Sequence, residues 1–222
     1  MTIRFLRSLD GIFYAMLVFA GLTLYETFGV VTVRETPTMF TVLPLAGLLI
    51  ATIYLPGSGL DDRRSIPVAI RLKMLALGLV GFYPFVSWQA QGVRNVYLTA
   101  GAGVALVLGT LYVLELLRLV DLIFGAARKT DLRPVCRYLR LAVYYFVLVP
   151  IITIYSFVLF HMTHQNAAAG RLLAYAWNSL GMPLRIVVTL FIMVCSSLMI
   201  FLLWQSCNCV KAVVKNTEIC VA

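Results

Sequence analysis

Six long apolar stretches divide this chain, and almost all of its positive charge falls on alternate connections between them. The stretches are Gly11–Val33, Thr38–Leu55, Met74–Trp88, Val96–Leu117, Leu139–His161 and Pro183–Trp204. A helix needs about 20 largely apolar residues to cross roughly 30 Å of hydrocarbon. Each stretch therefore reads as a membrane-spanning helix, and the chain as an all-α, polytopic helical membrane protein with about six transmembrane helices. The third is the shortest. An earlier start would lengthen it, with Arg71 and Lys73 reaching back toward the headgroups.

Composition agrees with the pattern. Of 222 residues, 62% are hydrophobic and only 12% charged, and mean hydropathy is +0.95. A soluble domain carries about a quarter charged residues, so too few polar groups remain to cover a water-facing surface. The net charge of +9 does not imply nucleic acid, because the cations flank hydrophobic ends rather than forming a stripe of their own.

Their distribution sets the orientation. Arg4, Arg7, Arg63, Arg64, Arg71, Lys73, Arg118, Arg128, Lys129, Arg133, Arg137, Arg140, Lys211 and Lys215 fall on one side. Only Arg34, Arg94, Arg171 and Arg185 fall on the other. Short cytoplasmic loops are enriched in Lys and Arg, so both termini are expected in the cytoplasm, which an even number of spans requires. Arg4, Arg7 and the following apolar run imitate a signal peptide, with Val18-Phe19-Ala20 as a cleavage-like site. The apolar run continues past it, and an uncleaved first span is the reading adopted. All five cysteines fall in the membrane or on the cytoplasmic side, so no outer disulfide framework is expected. The expected location is a bacterial cytoplasmic (inner) membrane or an organellar one.

The chain reads as one membrane domain, residues 1–222, without an internal repeat. Pro44, Pro84 and Pro150 interrupt spans, and each is expected to kink or break its helix. Gly101, Ala105 and Gly109 place a small residue at every fourth position of the fourth span. Gly47 and Ala51 do the same, more briefly, in the second. Such faces let helix backbones approach closely in lipid, with a helix of this chain or of another.

Arg133, Arg137 and Arg140 repeat at i, i+4 and i+7 along a cytoplasmic extension of the fifth span, with Asp131 as its N-cap and Pro134 in its first turn. This basic stripe suits anionic headgroups on the cytoplasmic side, or an acidic partner. Residues 167–180, with Tyr175 and Trp177, read as a short helix in the outer interface.

Few residues could carry chemistry. Glu26 lies inside the first apolar stretch, where a carboxylate is costly and faces a bundle interior or a watery path; it is the transport or proton candidate. Glu115, Arg118 and Asp121 follow one another at i, i+3 and i+6, where Arg118 could neutralise both acids. His161 and His164 are the only histidines, and their i, i+3 spacing could offer two ligands to one metal, which needs more. Cys207-Asn208-Cys209 is half of a zinc pattern at most. No nucleotide-binding, serine-hydrolase or zinc-protease motif is present, and no cofactor is implied.

The expectation is a non-enzymatic integral membrane subunit or accessory protein of a larger membrane assembly, packing through its small-residue faces and partnered by other membrane-protein subunits. A small transporter or channel with a path near Glu26 is the alternative. An intramembrane metal or redox protein using His161 and His164 is the second.

Overall fold

The computed structural model describes residues 3–28, 37–56, 65–90, 95–129, 131–165, 172 and 181–219, with side chains described except at 19–28, 37–43, 87–90, 165, 185 and 215–219. Nearly all of the described residues are helical, and no strand occurs among them. The helices are α1 (Ile3–Phe28), α2 (Pro37–Ile53), α3 (Ser65–Ala90), α4 (Val96–Ala126), α5 (Leu132–Val143), α6 (Val149–Gln165) and α7 (Met182–Ile219). A π-helical turn, Tyr144–Leu148, joins α5 to α6 without a break. Six long helical segments result among the described residues, and the protein is a helical membrane protein.

Four of these segments are long and apolar enough to cross a membrane: Ser65–Val86, Val96–Ala126, Leu132–His164 and Met182–Val214. Among the described residues, α2 adds the shorter apolar run Pro44–Ile53. The third span does start earlier than its apolar run, at Ser65, which brings Arg71 and Lys73 into the helix. The proposed outer interfacial helix at 167–180 lies outside the described residues, except for Leu172. Neither Pro44 nor Pro84 ends its helix; both α2 and α3 continue through them.

Neighbouring segments run antiparallel, which residue pairings show directly. A Cβ on Gly11 would lie 2.9 Å from Ala51 Cβ, and one on Gly47 would lie 3.9 Å from Ala15 Cβ. The two pairs are rungs of one antiparallel seam between α1 and α2. On α4, a Cβ on Gly101 would come within 2.5 Å of the Phe85 ring, and one on Gly109 within 3.6 Å of Leu79. Gly103, two residues on and across the helix, faces Tyr155 of α6 at 2.6 Å. Small residues therefore line α4 on two sides, against α3 and against α6. Ala105, between them in sequence, is buried. Both small-residue stripes seen in the sequence are occupied by helices of this same chain.

α4 is the central helix, touching α3, α5, α6 and α7. Asn95 caps its start, its side-chain oxygen accepting a hydrogen bond from the Tyr97 N–H at 2.8 Å. At its far end Arg128 adopts a left-handed backbone, φ 58°, and the Lys129 N–H reaches back to the Phe124 carbonyl. This stops the helix and turns the chain into α5.

The core is concentrated at one end. Phe5, Leu9 and Ile12 of α1, Leu72 of α3, Leu116, Leu119, Val120, Ile123 and Phe124 of α4, and Leu202, Leu203 and Val210 of α7 are all buried there. The Tyr112 hydroxyl and the Thr52 hydroxyl share a buried hydrogen bond of 2.7 Å between α4 and α2. Toward the other end, α6 and the first half of α7 expose most of their apolar side chains.

The π-turn has a definite consequence. Pro150 has no N–H to offer the ladder, and the Val149 N–H bonds the Tyr144 carbonyl five residues back instead of four. The extra residue in that turn rotates everything beyond it by about 100°. Leu139 and Val143 of α5 and Val158 and Met162 of α6 are buried. Each of the first pair precedes its counterpart by about five turns once that residue is absorbed. The turn thus keeps the buried residues of α6 on the same side of the segment as those of α5.

Candidate functional site

The charged end of the bundle gathers most of the chemistry the structure offers. The N-terminal ends of α1, α3 and α5 meet the C-terminal ends of α2, α4 and α7 there, and five ion pairs lie in this layer. Asp10 of α1 accepts the Lys211 ammonium of α7 at 3.1 Å. Glu115 of α4 lies 3.2 Å from Arg71 of α3 and 3.7 Å from Arg118. Asp121, six residues further along α4, lies 3.0 Å from Arg133 and 3.9 Å from Arg137 of α5.

These pairs revise the picture from the sequence. Arg118 was expected to serve both acids of its own helix, but Asp121 is taken by α5. The difference follows from position around α4: Glu115, Arg118 and Asp121 step about 60° apart, so the two acids face different neighbours. The stripe of Arg133, Arg137 and Arg140 is not wholly given to outside partners, since Arg133 and Arg137 both turn to Asp121. Asp131 occupies the N-cap position with a helical backbone and makes no side-chain cap hydrogen bond.

Each acid is bracketed by two arginines, so the layer over α4 holds four guanidinium groups against two carboxylates. Asp121 is 15% exposed and Glu115 20%, while Arg71, Arg118 and Arg137 are 54%, 47% and 61% exposed. The acids are covered and the surplus cations face outward. Glu115 Oε2 is buried without a hydrogen-bond partner, an acceptor site left open within the layer.

The other candidates stand apart from it. His161 and His164 lie near the opposite end of α6, each with Nδ1 within 3.0 Å of the carbonyl four residues back. That bond directs the proton to Nδ1 and leaves Nε2 as the one free ligand atom of each ring. The rings pack on Phe157 and Phe160. Among the described residues no group of three or more His, Cys, Asp or Glu side chains gathers in a metal-binding arrangement. Glu26 falls in the last turns of α1, and its side chain lies outside the described residues.

Cys207 and Cys209 are both buried in the core at the charged end. They lie on one helix two residues apart, about 200° around its axis, which turns their thiols away from a shared ligand. Cys220 lies outside the described residues. The network across α3, α4 and α5 was legible only in part: the sequence shows the charges, but pairing Arg71 with Glu115 requires knowing that α3 and α4 are antiparallel neighbours.

Comparison of the chain with protein families, with curated proteins and with solved structures finds no match.

Proposed function

We propose that this protein is a non-enzymatic integral membrane subunit or accessory protein that joins a larger membrane assembly through the exposed faces of α6 and α7. The observation that carries the reading is the character of those faces. Of the most apolar 18 residues of each span, 44% are buried inside the bundle in α4, against 17% in the α5–α6 segment and 22% in α7. Within the exposed apolar surface sit small hydroxyl residues: Ser156 on α6, and Ser196 and Ser197 near the middle of α7, all exposed.

Lipid-facing positions favour bulky aliphatic side chains, because lipid tails offer hydroxyls no partner. Small hydroxyl residues on a membrane-buried helix instead allow a second helix to approach closely and to hydrogen-bond across the contact. The glycine and alanine stripes, by contrast, are used within the chain, so the partner-facing surface is not theirs.

The test is purification of tagged protein in a mild detergent with mass spectrometry of what accompanies it. A stoichiometric partner is expected, reduced at least severalfold in a Ser196→Leu/Ser197→Leu variant that elutes as a folded species. A monodisperse chain without partners would overturn the reading, and a flux assay on Glu26→Gln would then test the transport alternative.

A further inference from the structure

We propose that the seam over α4, between α3 and α5, binds the phosphate headgroup of a single anionic phospholipid, with Arg118 at its centre and Arg71 and Arg137 at its flanks. This goes beyond the subunit reading and does not rest on it, since it needs only that the bundle is embedded in a bilayer.

The charge balance comes first. Four arginines face two carboxylates over this stretch of α4, leaving a surplus of two positive charges. Glu115 and Asp121 are the covered members, and the guanidinium groups of Arg71, Arg118 and Arg137 remain about half exposed or more. Arg118 sits between the two acids around the helix, so it faces the open seam rather than either neighbouring helix. Its contact to Glu115, at 3.7 Å, leaves most of its five donors free for a phosphate.

The surroundings decide between a lipid and a free anion. Directly on the membrane side of the arginines the walls turn apolar. Met74 of α3, about one turn beyond Arg71, is 70% exposed. Leu141 of α5 and Tyr145 of the π-turn, about one and two turns beyond Arg137, are 52% and 61% exposed. A pocket for inorganic phosphate has no use for such walls. An amphiphile does: its headgroup meets the guanidinium groups while its acyl chains lie along the apolar stretch above.

The experiment uses the full chain in mild detergent, with native mass spectrometry after adding phosphatidylglycerol or phosphatidylcholine at equal concentration. The wild-type chain should retain one phosphatidylglycerol in clear preference. Each cation near a charged headgroup is worth roughly a fivefold preference, so Arg118→Gln/Arg137→Gln should lower it by about 25-fold. Arg118→Lys/Arg137→Lys, which keeps the charges, should retain most of it. If the double glutamine variant does not elute as a folded species, Arg137→Gln alone replaces it, since its contact to Asp121 is the longer one.

Equal retention of the two lipids, or an unchanged preference in the glutamine variant, overturns the proposal. So does complete displacement of lipid by millimolar inorganic phosphate with no effect of Leu141→Asn, which would mark a site for a free anion. Loss of an acidic protein partner in the glutamine variant, with lipid preference intact, would assign the seam to protein instead and overturn it equally.

Discussion

At the scale of single residues, the glycines of α4 and α3 divide by what stands opposite them. A Cβ on Gly101 would meet the root of the Phe85 side chain at 2.5 Å, and one on Gly103 would meet the Tyr155 ring at 2.6 Å. Neither ring can swing away cheaply, because its base is fixed to a packed helix. Gly81 of α3 has nothing within 4 Å of such an atom. Gly101→Ala and Gly103→Ala should therefore destabilise by about 1–3 kcal/mol through overpacking. Gly81→Ala should be neutral or stabilise by up to about 1 kcal/mol, since alanine loses less entropy in a helix. Thermal unfolding in detergent reads the difference; equal melting temperatures for all three variants would mean that the α3–α4–α6 packing is looser than the distances say. The sequence showed these glycines at the spacing of a packing face. It could not show that Gly101 and Gly103 pack on opposite neighbours, because that depends on which helices surround α4.

The π-turn is the feature of greatest consequence among the elements. Its extra residue brings the buried side chains of α6 into line with those of α5, so a deletion there has an unusual expected outcome. Removing Val147, together with Pro150→Ala to restore the missing donor, would close the turn to a regular α-helix. Leu139 and Val143 would still align with Val158 and Met162, since the deletion removes the residue the turn absorbs. That variant should elute as a folded species with a melting temperature within a few degrees of wild type. Removing Val107 from the regular part of α4 should instead abolish folding, because it rotates Gly101 and Gly103 by about 100° away from Phe85 and Tyr155. Aggregation of both variants alike would show that the turn does not set the register of the stripe. The helical membrane class was legible from hydropathy, because crossing lipid needs about 20 apolar residues whatever the neighbours, and four helices are long and apolar enough for it. The π-turn was not: Pro150 announces a disturbed ladder, but a kink, a break and a π-turn all satisfy a proline. The ion pairs were half legible for a similar reason. Local spacing predicted Arg118 with Glu115, while Asp121 with Arg133 crosses between helices.

Across the whole molecule, the charged layer and the antiparallel order of the six segments make one statement about topology. Asp10 near the start of α1 pairs with Lys211 near the end of α7, so the two chain ends lie at the same end of the bundle. That end also carries Arg71, Arg118, Arg133 and Arg137, the cations that the sequence assigns to the cytoplasmic side. A charge layer of this kind is stable at a headgroup interface and costly in hydrocarbon, which holds the segments that carry it, α1, α3, α4, α5 and α7, to one level. Reporters fused separately to each terminus, active only in the cytoplasm, should therefore both be active. Signals from opposite sides would require an odd number of passes. The Asp10–Lys211 pair would then have to span the membrane, so the packing of α1 on α7 would be wrong along with the topology. Activity at both ends, followed by loss at both when Arg4, Arg7, Lys211 and Lys215 are replaced by glutamine, would show that these terminal cations are what orient the bundle.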